Sequence, residues 1–66
     1  MKKQNFRLHE FRRKENMTQE ELAKLLGISK DYLSMIERGV RNPSFKLAKK
    51  IADVFSATVD DIFFEK

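Results

Sequence analysis

The chain has 66 residues, no cysteine and a formal net charge of +4, with 36% charged and 41% hydrophobic residues. Disulfide frameworks and thiolate metal sites are excluded, and the length suits one domain, residues 1–66, without room for a catalytic cleft between layers. A chain of this size buries only about 60% of its unfolded surface, so self-association is the expected source of added stability.

No apolar run approaches the roughly 20 residues of a membrane span, and the N-terminal stretch lacks a signal-type apolar region. The expectation is a soluble, cytoplasmic, nucleoid-associated protein with no membrane partner. Charge is unevenly spread. Residues 1–29 hold seven Lys/Arg against four Glu, and residues 30–50 hold six against two acids. Residues 51–66 reverse the sign, with Lys66 against Asp53, Asp60, Asp61 and Glu65. A polyanion would be drawn to the first fifty residues and repelled by the tail, although a highly charged small helical chain can also be basic for solubility alone.

In chain order, a first helix is expected from about Asn5 to Glu15, burying Leu8 and Phe11, with Asn16 at a left-handed C-terminal cap. Thr18 caps the second helix, and Glu21 three residues on completes a capping box. Gly27 closes that helix, Ser29 caps the third, and Gly39 ends it at about Arg38. Leu22, Leu25, Leu26, Ile28, Leu33 and Ile36 form the apolar set of this pair, helical in spacing on both sides of Gly27. Ala23 and Gly27 are small where the two helices are expected to cross closely.

Pro43 biases Asn42 away from helix, so residues 41–44 read as a loop. A fourth helix follows from about Ser44, with Leu47, Ala48, Ile51, Ala52 and Phe55 inward. Thr58 opens a short last helix with Asp61 at its third position and Val59, Ile62 and Phe63 inward. No segment alternates with period two for long enough to make a strand. The expected fold is all-α, with five helices. Two short helices joined by one tight turn over about residues 18–38 match the helix-turn-helix pattern that presents a row of side chains to DNA.

The chain resembles the Cro/C1-type (Xre-like) helix-turn-helix family of regulators over about residues 6–63. The resemblance rests on Met17-Thr-Gln-Glu-Glu-Leu-Ala, Gly27-Ile-Ser, Ile36-Glu-Arg-Gly39, Arg41-Asn-Pro-Ser44 and Asp60-Asp-Ile-Phe63. It implies a compact five-helix, lambda-repressor-like DNA-binding domain. Asp31-Tyr-Leu-Ser-Met-Ile-Glu-Arg-Gly39 followed by Arg41-Asn-Pro resembles the controller proteins of restriction–modification systems, with phage and mobile-element repressors equally compatible.

With Leu33 and Ile36 inward, Lys30, Asp31, Ser34 and Met35 are the expected base-reading row of the third helix. Lys30 suits guanine O6/N7, Asp31 can accept from cytosine N4, and Met35 can pack on a thymine methyl. Each also has a plainer role: an aspartate in a first helical turn is favoured by the dipole alone, and a lysine there is an ordinary surface residue. Ser29 and Tyr32 are further possible contacts, although Tyr32 is better suited to covering the edge of the core with its hydroxyl in solvent. Phosphate contacts are expected from Gln19, Arg38, Arg41, Asn42, Ser44 and Lys46, at helix N-termini and in the loop after the third helix. The resemblance further implies an ion pair between Arg12 and Glu37 that ties the first helix to the third, a structural rather than a binding role.

No catalytic or metal-binding set is visible and no cofactor is expected. His9 is a lone surface histidine, Asp60 and Asp61 diverge around their helix, and no glycine-rich phosphate loop is present. The reading is a sequence-specific regulator, in its simplest form a repressor, that binds a pseudo-palindromic double-stranded operator as a homodimer. RNA polymerase or an antagonist protein would be its further partners. The dimer interface is expected at Val54 and Phe64, which are left over from the inner stripes. The alternative is a protein-interaction module, such as an antitoxin or an anti-repressor target, with an incidental basic face. Steep salt dependence together with strong sequence preference separates the two. Single-stranded RNA binding fits poorly, because no row of exposed aromatic platforms is expected.

Overall fold

In a computed structural model, residues 7–63 are described, and they hold five α-helices in a row: α1 Leu8–Lys14, α2 Gln19–Leu26, α3 Lys30–Glu37, α4 Phe45–Val54 and α5 Val59–Phe63. No strand is present among the described residues. The first helix begins at Leu8 with Arg7 at its N-cap position, and the expected start at Asn5 lies outside the described residues.

The helix starts follow from local side-chain chemistry. Thr18 Oγ1 accepts from the Glu21 N–H at 3.0 Å, and Glu21 Oε1 accepts from the Thr18 N–H at 2.8 Å. Thr58 and Asp61 repeat this reciprocal arrangement at 3.0 and 3.2 Å. Ser29 accepts from the Tyr32 N–H and Ser44 from the Leu47 N–H, at 3.0 and 3.1 Å. Four of the helices therefore start where a hydroxyl satisfies an N–H that the helix itself leaves orphaned.

Four helices also end alike. At each end one residue of positive φ donates its N–H three residues back, and the next residue donates five residues back, which is the Schellman pattern. The pairs are Asn16 and Met17, Gly27 and Ile28, Gly39 and Val40, and Ser56 and Ala57. The left-handed residue of the last pair, Ser56, was not foreseen. Gly27 corrects a different expectation: a Cβ built there meets nothing within 4 Å, so the position is not a close helix crossing. Its φ of +74° is what favours glycine. Ala23, 3% exposed, is small at a crowded place.

Leu8, Leu22, Leu33, Ile36, Ile51 and Ile62 are fully buried, so all five helices contribute to one core. At roughly 1.5–3 kcal/mol per buried aliphatic side chain, this cluster is what holds short helices that would not persist alone. Phe11, Ile28, Leu47, Phe55 and Val59 pack around it, half-buried. The Phe11 and Phe55 rings are 5.8 Å apart between centroids and join α1 to the end of α4. The Arg7 N–H donates to Ile62 O at 2.7 Å, tying the start of α1 to α5.

Leu25, expected in the inner set, is 58% exposed. The buried residues of α2 are Leu22, Ala23 and Leu26, and the centre of that stripe lies about 100° around the helix from Leu25. Spacing by three links Leu25 to Leu22, but Ala23 rotates the buried face away from it.

Candidate nucleic-acid interface

Helix α3 buries Leu33, Ile36 and Glu37 and caps itself through Ser29. The opposite face carries Lys30 and Asp31, both exposed, with Ser34 and Met35 half-buried and Arg38 exposed just past the helix end. The sequence placed Ser34 and Met35 fully outward, but they are partly covered. The following loop is hydrogen-bonded back onto the end of the helix, the N–H groups of Val40 and Arg41 both donating to Met35 O, at 2.9 and 3.3 Å. That return fixes the backbone of Arg41 against the C-terminal end of α3.

Tyr32 is half-buried and packs on the core cluster, so its ring covers the core edge while it stays beside the outer row. Arg41, Asn42, Ser44 and Lys46 are all exposed and surround the first turn of α4. The oxygens of Ser29 and Ser44 are engaged as acceptors by their caps. Each hydroxyl hydrogen remains free to donate to an anionic oxygen.

Gln19 is held in a way the sequence did not suggest. It is the first residue of α2 and half-buried, and its Nε2 donates to Glu37 Oε1 at 3.0 Å. Glu37, 7% exposed, is the buried charged residue among those described, and it is paired with Arg12. The amide nitrogen of Gln19 has a second hydrogen, so one donor remains for an anion at the start of α2. A polar residue at a first helical position beside an expected ion pair was the available signal.

Val54 is half-buried and packed on the core, at the C-terminal end of α4. Phe64 lies outside the described residues. Among the described residues no group of His, Asp or Glu could hold a metal ion. None of their helices is long and apolar enough to cross a membrane.

A model of the helix-turn-helix family matches residues 8–62. An HTH-type transcriptional regulator of Archaeoglobus fulgidus is 56% identical over 57 residues, covering 86% of this chain and 80% of that protein. The HTH-type transcriptional regulator SinR of Bacillus subtilis is 34% identical over 61 residues, 91% of this chain and 55% of SinR. In structure, the chain is similar to the clp gene regulator ClgR from Corynebacterium glutamicum. The two superpose with a TM-score of 0.76 at 35% identity, over 82% of this chain and 57% of that one.

Proposed function

Because this chain belongs to the Cro/C1-type helix-turn-helix family of transcriptional regulators, we propose that it binds a pseudo-palindromic operator as a homodimer and represses by occluding a promoter. Helix α3 of each protomer enters the major groove, with the two half-sites about 34 Å apart on one side of the duplex. Lys30, Asp31, Ser34 and Met35 read base edges, with Ser29 and Tyr32 at the margin of that row. Gln19, Arg38, Arg41, Asn42, Ser44 and Lys46 hold phosphates on either side. RNA polymerase and an antagonist protein are the protein partners this reading admits.

One observation carries it. The outer row of α3 is followed by a loop hydrogen-bonded back onto the helix at Met35 O, which holds the backbone of Arg41 in a fixed place beside that row. Phosphate contacts set register and base contacts set sequence, and both need that rigidity.

The test is selection of bound sequences from a random duplex pool, followed by titration against salt. The expected result is an inverted repeat with half-site centres one helical turn apart and a steep fall of affinity with salt. Binding that ignores both sequence and salt would overturn the reading in favour of a protein-interaction module.

A further inference from the structure

Phe45 stands in the first turn of α4 with 77% of its surface exposed, more than any other large apolar residue among those described. It forms one wall of an open, mainly apolar groove of about 530 Å³, shared with Pro43, Ala48, Val59, Asp60 and Phe63. We propose that this face is where two copies of the chain meet, Phe45 of each copy entering the groove of the other. The proposal rests on the homodimer reading above and assigns the surface that forms it.

A projecting ring and an apolar recess on the same small patch are self-complementary under a two-fold axis, because each copy offers both halves of the contact. Charge points to the same occupant. Asp60 lines the groove, and Lys49 follows Phe45 by one helical turn on the same side of α4. Both are exposed, and neither has an ion pair among the described residues. Seating Phe45 in the opposite groove carries Lys49 of one copy toward Asp60 of the other, twice per dimer.

The position also suits a DNA-bound pair. The groove is continuous with Asn42 and Pro43, in the loop that carries Arg41, so the two-fold axis would run beside the phosphate-holding loop. Val54 lies nine residues further along α4, half a turn out of phase and at the opposite end. It is half-buried, and so leaves a partner less to cover than Phe45 does. A patch of this size falls in the class of small, weak interfaces, which gives a dimer that forms with rising concentration and tightens on a two-site operator.

The test is sedimentation velocity across a concentration series, with operator binding by the full chain measured in parallel. Phe45→Ser should weaken self-association roughly thirtyfold or more, the loss expected of a central aromatic anchor, and leave binding to a single half-site intact. Lys49→Asp and Asp60→Lys should each weaken the dimer, and the two together should restore it. A native dimer that persists in Phe45→Ser overturns this surface alone, and Val54→Ser turning monomeric beside it would move the contact to the other end of α4. A native chain that stays monomeric yet binds an inverted repeat overturns both this surface and the homodimer reading.

Discussion

Arg12 and Glu37 form a bidentate pair: Nε donates to Oε2 at 2.7 Å and Nη2 to Oε1 at 3.2 Å. The side chains are 12% and 5% exposed, so the pair is largely shielded from water. The third guanidinium nitrogen donates to Met17 O at 2.8 Å, and Gln19 donates to the Oε1 that Nη2 also holds. The pair thus joins α1, the α1–α2 connection, α2 and α3, which fixes the angle at which α3 is presented. A shielded ion pair of this kind adds orientation more than stability.

Removing one partner is therefore costly, while removing both is not. Glu37→Ala should destabilise the fold by about 3–5 kcal/mol, because Arg12 stays desolvated without its counter-charge. The double variant Arg12→Met, Glu37→Leu should cost much less. Urea denaturation of the three proteins checks this. An unchanged midpoint for Glu37→Ala would mean that water reaches Arg12 freely.

Gln19 holds Glu37 and, in the proposed function, also a phosphate; the two roles would separate on mutation. Gln19→Ala removes a hydrogen bond to Glu37 at a half-exposed position, with an expected stability loss of about 1 kcal/mol. It should also weaken binding to operator and to random duplex by the same factor, since a phosphate contact carries no sequence information. Fluorescence anisotropy on both duplexes reads this. A loss confined to the operator would make Gln19 a base-reading residue instead.

The left-handed residues give a prediction of opposite signs at two helix ends. Gly27 has a φ of +74° and open space around it, so Gly27→Ala should destabilise by about 1 kcal/mol through backbone strain alone. Ser56 adopts a φ of +53° in the same type of helix end. Ser56→Gly should therefore stabilise by up to about 1 kcal/mol, strain relief being partly offset by the freedom glycine gains when unfolded. In a chain of this size the melting temperature should move by about 4–8 °C for each kcal/mol. A Ser56→Gly protein that melts lower than the parent would show that the serine side chain makes a compensating contact.

Helix starts and most helix ends were legible in the sequence because they depend on groups a few residues apart. Thr18, Ser29, Ser44 and Thr58 cap N–H groups of their own first turns, and Asn16, Gly27 and Gly39 were placed by the same local logic. Ser56 escaped because serine carries no left-handed preference of its own. Exposure was less legible. Leu25 fits apolar spacing, yet it sits at the rim of a face recentred by Ala23. Phe45, which the inner stripe of α4 leaves out, stands exposed as one wall of the open groove beside α5. The outer row of α3 was legible as a phase of that helix, but the partial burial of Ser34 and Met35 was not, because it depends on neighbours that no periodicity describes.

That partial burial sharpens how base and phosphate contacts should divide. Lys30 is exposed at the start of α3, with a flexible stem that would let it reach a guanine edge without moving the backbone. Met35 is half-buried, so truncating it removes some packing as well as any contact with a thymine methyl. Arg41 is exposed, and its N–H is anchored to Met35 O. Lys30→Ala should cost about 1–3 kcal/mol on the selected operator and leave binding to random duplex nearly unchanged, because it removes readout at one base pair. Arg41→Ala should weaken every duplex alike and lower the slope of log K against log salt by about one, as one phosphate neutralisation is lost. Met35→Ala should resemble Lys30→Ala on DNA but also lower the melting temperature, which Lys30→Ala should not. Salt titrations on both duplexes, with a melt for each variant, separate the three. If Lys30→Ala and Arg41→Ala gave the same profile, α3 would be holding the backbone rather than reading the groove, and its outer row would lose its assigned role.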